Sequence, residues 1–266
     1  TVWTLIQTNT SRTLTSLAVS DSVVLTAGLY GALARSSNYG ETFQTINTGN
    51  TNYFFDVSFK NSLTGFIAGA YGTILKTTNK GLSWSASSTG TGRWFYSISF
   101  GDENTGFAAS DYGNVYRTTN GGSNWTGYVT ATSEYQYSLK AFDVNNVISF
   151  GNKGTIIKTS NAGINWTDYS SGFRNSLFAV DFINENYGWT CGAQGTVALT
   201  INGGSNWTRI QAGAADDFLY QIDFINSSTG YCVGEYGKIY KSTNGGYNWN
   251  SLSSPYTSGY YALQFF

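Results

Sequence analysis

Apolar and polar residues alternate along most of this chain in short runs, each closed by a cluster of Gly, Asn, Ser or Thr. Alternation with a period of two is the pattern of half-buried strands, and such clusters are the pattern of turns. Nowhere does a 3.6-residue apolar period persist, so no helix is expected. In the stretch that ends at Trp207 the pattern resolves into four strand-like pieces, 165–169, 176–183, 188–192 and 196–200. A turn at 184–187 and a short Gly-containing turn separate the last three. Four strands of ~5–6 residues with tight turns fill a unit of about 41 residues.

The punctuation itself repeats. Close copies of one octet stand at 36–43 (SSNYGETF), 77–84 (TTNKGLSW), 118–125 (TTNGGSNW), 159–166 (TSNAGINW), 200–207 (TINGGSNW) and 242–249 (STNGGYNW). Their asparagines, Asn38, Asn79, Asn120, Asn161, Asn202 and Asn244, are spaced by 41 residues four times and then by 42. A fixed period of this size marks a repeat architecture. Each octet residue has a physical task. The Asn side chain can bond backbone two residues on, and the Gly two positions later can take a positive φ. The Ser or Thr two positions earlier can tie down the turn. The closing Trp84, Trp125, Trp166, Trp207 or Trp249 (Phe43 in the first copy) offers a large apolar face. The octet therefore predicts a tight hairpin with an aromatic lock.

Four-stranded, all-β units repeated at least six times predict a β-propeller, here one domain over residues 1–266. With strands lettered a to d outward from the axis, the octet is the c–d hairpin. Candidate a strands fall at 15–20, 53–59, 94–100, 138–144, 176–183, 219–225 and 260–266, which makes seven. Candidate d strands, counted from Trp3, Phe43 and the five octet tryptophans, also number seven, but b and c strands number six each. Seven full repeats of 41 would need 287 residues, 21 more than the chain has, or about one b and one c strand. The expectation is a seven-bladed ring with an incomplete closure blade; the alternative is a six-bladed ring. Unpaired strand edges are sticky, so self-association through the incomplete blade follows as a further expectation.

The octet pattern Ser/Thr-x-Asn-x-Gly-x-x-Trp resembles the Asp-box (BNR) repeat, with Asn in place of Asp in all six copies. The segment before it, as in Gly69-Ala70-Tyr71-Gly72-Thr73-Ile74-Leu75-Lys76-Thr77-Thr78-Asn79, is similar to the propellers related to the photosystem II stability/assembly factor. The same wider family holds many secreted bacterial repeat proteins. The resemblance covers essentially the whole chain and implies a propeller scaffold. It implies, for an assembly factor, binding of a protein partner. Asp-box propellers also include sialidases, whose chemistry needs clustered arginines, a tyrosine nucleophile beside a Glu, and an acid Asp. The chain has only Arg12, Arg35, Arg93, Arg117, Arg174 and Arg209, and Arg35 and Arg117 share a repeat position with Lys76, Lys158 and Lys241.

Composition narrows the chemistry further. Charge is sparse, 14 Lys and Arg against 15 Asp and Glu, so there is no electrostatic case for nucleic acid or an anionic membrane. The longest apolar runs are strand-sized, so no membrane span is expected. There is no His, which removes the commonest metal ligand and general base; no metal or cofactor is expected. Cys191 and Cys232, in equivalent strands of adjacent repeats, leave a disulfide and two buried free thiols both open. Sparse Lys with abundant Ser, Thr, Asn and Gly points to a secreted or cell-surface setting. The opening Thr1-Val2-Trp3, without signal peptide or initiator Met, reads as a mature, processed or excised chain.

Propeller ligands usually meet the face that bears the b–c turns and d–a loops. The b–c turns carry Tyr30, Tyr71, Tyr112 and Tyr236, each before a Gly, with Lys153 and Gln194 at the matching places. These tyrosines are candidates to stack a sugar or grip a peptide; the plainer reading packs them between blades. The d–a loops add Arg93, Trp94, Arg174, Asp216 and Asp217, with Arg12, Glu134 and Tyr135 beside them. The loop 130–137 is three residues longer than its counterparts, and departures from a strict repeat are where function is grafted. The function expected is a non-catalytic module that binds a protein or a glycan or serves assembly. The alternatives are a carbohydrate-active enzyme and a structural subunit assembled by strand complementation.

Overall fold

The computed structural model describes residues 4–169, 172–254 and 256–265. Among them stand six four-stranded antiparallel sheets, each a meander made from one repeat. Blade one is β1 (Leu14–Ser20), β2 (Val23–Gly28), β3 (Leu33–Ser36) and β4 (Gln44–Thr45). Blade two is β5 (Phe54–Phe59), β6 (Gly65–Gly69), β7 (Ile74–Thr77) and β8 (Ser85–Ala86). Blade three is β9 (Phe95–Phe100), β10 (Gly106–Ser110), β11 (Asn114–Thr118) and β12 (Thr126–Val129). Blade four is β13 (Gln136–Ala141), β14 (Val147–Gly151), β15 (Ile156–Thr159) and β16 (Thr167–Asp168). Blade five is β17 (Leu177–Phe182), β18 (Gly188–Gly192), β19 (Thr196–Thr200) and β20 (Thr208–Gln211). Blade six is β21 (Leu219–Phe224), β22 (Gly230–Gly234), β23 (Ile239–Ser242) and β24 (Asn250–Leu252). The innermost strands touch in the order β1, β5, β9, β13, β17, β21. This is an all-β propeller, and the count of complete blades is the six of the alternative reading.

Of the seventh a strand expected over 260–266, the described residues 260–265 form no sheet, because no second strand among the described residues lies beside them to satisfy their backbone. Residues 260–265 dock on blade six instead. Tyr260 N–H donates to Gly234 O at 2.9 Å, and Phe265 N–H donates to the Asp223 carboxylate at 2.5 Å. The second contact copies a joint used inside the ring. Asp56 accepts from Ile98 N–H, and Asp181 from Phe224 N–H, both at 2.8 Å. Burial pushes the Asp223 carboxyl up to about 6, against the pull of that hydrogen bond. Trp3 and Phe266, expected in the closure blade, lie outside the described residues.

All six octets close on one internal cage. The Ser or Thr hydroxyl accepts the N–H of the Asn and of the Gly, as Thr118 does from Asn120 and Gly122 at 3.3 and 3.0 Å. The Asn carboxamide oxygen accepts the hydroxyl at 2.7–3.0 Å. It also accepts the N–H four residues on, at 3.0–3.1 Å. The Asn thus spans four residues, not the two of the Asx turn expected from the sequence. The reason is visible in the dihedrals: the residue after Asn and the Gly both take positive φ, as at Gly121 (65°) and Gly122 (82°).

The octet also joins blades. A Cβ on Gly81, Gly122, Gly204 or Gly246 would stand 2.3–2.6 Å from a side chain of the preceding blade, namely Leu25, Phe66, Ile148 and Trp189. The octet's aromatic residue packs in the same core: Trp125 lies with Phe66, Ala68 and Ile74 of blade two, and Trp166 with Phe107 of blade three. At three of the joints a long donor from the preceding blade caps the residue before the Gly. Arg35 Nε donates to Lys80 O at 2.7 Å, Lys76 Nζ to Gly121 O at 2.7 Å, and Lys158 Nζ to Gly203 O at 2.5 Å. Blade five has Leu199 at this position, and the Trp189 indole supplies the donor instead, to Gly245 O at 2.9 Å. Cys191 and Cys232 share the core between blades five and six as free, buried thiols. Burial, together with a hydrogen bond to Cys191, pushes the Cys232 thiol well up.

The joint gives a stability prediction. Gly122→Ala must fit a methyl at 2.3 Å from the Phe66 ring and hold a positive φ, whereas at Gly90 the φ is positive but nothing lies within 4 Å. Left-handed backbone costs about 1–2 kcal/mol for a non-glycine and overpacking about 1–3 more. Urea titration should show Gly122→Ala destabilised by about 3 kcal/mol and Gly90→Ala by about 1; equal losses would contradict the joint.

Candidate functional site

Every innermost strand carries one β-bulge near its start. The register skips Thr15 in β1, Phe55 in β5, Tyr96 in β9, Tyr137 in β13, Phe178 in β17 and Tyr220 in β21. A bulged residue is released from the ladder and its side chain re-aimed. Here five of the six released side chains are aromatic, and all of them line the mouth of the central channel, a cavity of about 390 Å³. They touch in sequence. Ring centroids are 5.2 Å apart for Phe55–Tyr96, 5.4 Å for Tyr96–Tyr137, 5.5 Å for Tyr137–Phe178 and 5.7 Å for Phe178–Tyr220. Tyr261 of the docked terminal segment extends the series, 4.9 Å from Tyr220. The result is a collar of six aromatic rings, open only at Thr15, whose hydroxyl is turned to Phe54 O at 2.7 Å.

The turn tyrosines form an outer rim to this collar. Tyr30, Tyr71, Tyr112 and Tyr236 are 54, 66, 60 and 73% exposed, so the packing between blades does not occur. Each has φ between 50° and 58° and is followed by a Gly of positive φ. That is the dihedral pattern of a type I′ turn, which favours Asn or Asp before Gly and disfavours a bulky ring. The Gly is obligatory: a Cβ on Gly72 would stand 1.9 Å from Thr91 O, and one on Gly31 2.0 Å from Asn50 O. The turn therefore lies flush on the d–a loop and brings its tyrosine to the loop's aromatics. Tyr71 meets Trp94 at 5.7 Å, Trp94 stacks on Phe55 at 5.5 Å, and Tyr30 meets Tyr53 at 4.9 Å. The longer loop 130–137 serves the same end, placing Tyr135 against Tyr112 at 5.1 Å and Tyr96 at 6.2 Å.

Polar groups brace the rim. Arg93 pairs with the buried Asp111 at 2.8 Å and lies 5.5 Å over the Tyr112 ring. Asp111 also accepts Trp94 N–H at 3.2 Å, which fixes the loop that carries the indole. Glu134 holds Lys153 at 2.7 Å and Asn152 at 2.9 Å, and the Lys153 contact draws its carboxyl below the usual range. Burial pushes the Tyr96 and Tyr220 hydroxyls upward, so both remain protonated hydrogen-bonding groups. Tyr220 spends its proton on Glu235 at 2.5 Å. Deeper in the channel, burial also raises Asp56.

Two sequence candidates are placed otherwise. Asp217 is turned inward and 4% exposed, where it accepts Tyr240 O–H at 2.5 Å and Ala214 N–H at 2.8 Å and faces Lys238 at 3.5 Å. Burial alone would raise its carboxyl, but these donors hold it below the usual range. It staples its loop to blade six and is not open to a ligand; only Asp216 is exposed. Arg174 is exposed and has no ion pair or ring contact among the described residues. The collar itself was missed by motif reading, though Phe55, Tyr96, Tyr137, Phe178, Tyr220 and Tyr261 recur with the period of the octets. Among the described residues no three His, Cys, Asp or Glu side chains converge to hold a metal ion. No helix among them is long and apolar enough to cross a membrane.

A β-propeller with Asn-type Asp-boxes and an aromatic channel mouth defines the class. The model of the Photosynthesis system II assembly factor YCF48 family matches residues 35–172 and 165–257, and the chain belongs to that family. The solved structure of YCF48 bound to a D1 peptide is similar, with 18% identity, 92% of this chain and 82% of that chain covered, and a TM-score of 0.73. YCF48 from Cyanidioschyzon merolae is similar at 17% identity, with 96% and 89% covered and a TM-score of 0.75. The WD40 repeats of RRP9 share the fold at 12% identity, with 97% and 85% covered and a TM-score of 0.81. No curated protein sequence matches the chain.

Strain at the rim is testable. Tyr236 is the turn tyrosine with no ring contact among the described residues and sits at φ 54°. Replacing it with Asn suits the turn better, so Tyr236→Asn should stabilise the fold by about 0.5–1 kcal/mol. A thermal midpoint unchanged or lowered by this variant would show that the tyrosine is unstrained.

Proposed function

We propose that the chain is a non-catalytic, protein-binding assembly module that holds an extended segment of its partner across the aromatic collar. The observation that carries this reading is the collar: six rings in contact, five of them delivered by bulges that serve no purpose in the sheet ladder. Aromatic side chains offer large contact area at low entropic cost and dominate binding hot spots. Tyrosines kept in left-handed turns fit the same reading, since backbone strain is concentrated at ligand clamps. Family membership supports it as well, because one YCF48 structure holds a D1 peptide. A glycan is the alternative ligand, as rings of this kind also stack sugars. An extracytoplasmic setting is proposed on composition: sparse Lys and abundant Ser, Thr, Asn and Gly.

The test is selection of a displayed random peptide library on the immobilised chain, followed by titration of the winners. Trp94 is the rim's indole, so binding should change its emission, and Trp94→Phe should abolish that signal. Tyr96→Ala and Tyr137→Ala should each cost about 2 kcal/mol of affinity, as hot-spot residues do. Tyr247→Ala, on the exposed octet side, should cost nothing. Peptides that depend on Tyr247 and ignore the collar, or a library that yields only glycan-competed binders, would overturn the assignment.

A further inference from the structure

Three successive inter-blade joints differ in what fills their outer edge on the octet side. Between blades two and three, Lys60 reaches across the joint. Its Nζ donates to Glu103 O at 2.6 Å, pairs with the Glu103 carboxylate at 3.1 Å and lies 5.5 Å over the Phe100 ring. The Lys60 side chain is only 8% exposed there. Asn61 Nδ2 donates to the same carboxylate, at 3.0 and 3.2 Å. Between blades three and four the corresponding residue is Gly101. The backbone of Asp143 closes directly on it, 2.3 Å from where a Cβ would stand.

Between blades four and five the place of Lys60 belongs to Phe142. The turns match: Lys60, Gly101 and Phe142 donate their N–H to Thr64, Thr105 and Asn146 O. Phe142 turns its ring to Phe182, 4.9 Å away, which holds the place of Phe100. Glu185 stands where Glu103 does, since Gly203 N–H donates to Asn186 O as Gly121 N–H donates to Asn104 O. The counterpart of Asn61 is Asp143, whose carboxylate accepts the N–H groups of Asn145 and Asn146 in its own turn, at 2.6 and 2.8 Å. Glu185 has therefore lost both donors that Glu103 enjoys. It is exposed, and neither its carboxylate nor its carbonyl has a partner among the described residues. Here the joint holds a cavity of about 410 Å³, lined by Phe142, Lys158, Tyr169 and Glu185 together with Asn146 and Asn186.

We infer that this cavity binds a primary alkylammonium group, its charge on the Glu185 carboxylate and carbonyl and its methylene stem along Phe142. Lys60 is the precedent within the chain: the same kind of group, held by the same pair of acceptors, at the equivalent joint. An ammonium on a carboxylate forms a charge-assisted hydrogen bond, and an aromatic wall suits both the stem and the charge. The cation already present is no bar. Lys158 corresponds to Lys76, and the Nζ atoms of Lys76 and Lys60 lie 3.8 and 3.9 Å from the one Cβ position of Gly121. Lys158 is also engaged, donating to Gly203 O at 2.5 Å and lying 5.3 Å over the Tyr169 ring. That ring stands where blade two has Ser87, each donating its N–H to the matching Ile, 156 or 74. Two sources carry the inferred group, a lysine side chain of a protein and a free amine. The site shares no residue with the collar and does not depend on that reading.

The probes are n-pentylammonium chloride and Nα-acetyl-lysine amide, titrated into the isotope-labelled chain and followed by NMR, with n-pentanol as the neutral control. The Asn186 and Gly203 amide signals should shift to saturation in the millimolar range with either amine and stay in place with n-pentanol. Glu185→Gln, at an exposed position, should weaken binding about fivefold or more. Phe142→Lys supplies the ammonium from the chain itself and should abolish the response; its thermal midpoint checks that it folds, and Glu185→Gln decides if it does not. Tighter binding of the lysine amide supports the inference with a protein lysine as the source, and tighter binding of n-pentylammonium supports it with a free amine. No saturation, equal shifts with n-pentanol, or unchanged affinity in Glu185→Gln overturns it. Saturation of the same amides by sodium acetate also overturns it, since that would make the cavity an anion site built on Lys158.

Discussion

The structure depends on the contact between an octet glycine and the side chain it meets on the blade before it. A propeller blade is a four-stranded sheet with two apolar faces, and it gains stability only when both are covered by neighbours. The octet accomplishes this at the ring's outer side. Its cage fixes two consecutive residues at positive φ, which brings a hydrogen-only Cα within reach of Leu25, Phe66, Ile148 or Trp189. The same geometry turns a backbone carbonyl toward a donor from that blade. Sequence, turn conformation and inter-blade packing are thus one constraint, which is why the octet varies so little from copy to copy.

With rigidity secured at the octet side, the opposite face is free to carry strained and exposed groups. Two irregularities there act together. The bulge in five of the six innermost strands points a ring into the channel mouth, and three of the b–c turns lay a second ring on the d–a loop outside it. Neither is what local stability would select, since a bulge breaks the ladder and a tyrosine in a type I′ turn is strained. Departures from local consistency concentrate at functional sites, and here they converge on one surface.

Much of the fold was legible in the sequence because it depends on period and turn chemistry. The b and c strands of the unit ending at Trp207, expected at 188–192 and 196–200, are observed as Gly188–Gly192 and Thr196–Thr200. The outer strand was overdrawn: 165–169 shrinks to Thr167–Asp168, because an edge strand with one neighbour ends where pairing ends. Counting segments did not settle the number of blades, since a segment such as 260–265 can hold a strand's place without a partner to make it one. The rim tyrosines were found through the Gly that follows them. The collar was not, because alternation alone puts Tyr96 and Tyr137 among ordinary strand residues; only the bulge shows where they point. Asp217 looked like an acid available to a ligand, and its burial depends on Tyr240, twenty-three residues away.

The six cages are chemically alike, but five sit on a preceding blade, whereas among the described residues the nearest atoms to the first, at Gly40, belong to its own blade. Amide hydrogen exchange separates the cage from the joint. If the joint carries the stability, the Gly81, Gly122, Gly163, Gly204 and Gly246 amides should exchange only with global opening, and Gly40 should exchange distinctly faster. Protection of Gly40 equal to that of the other five would contradict the account, and would locate the stability within the octet itself.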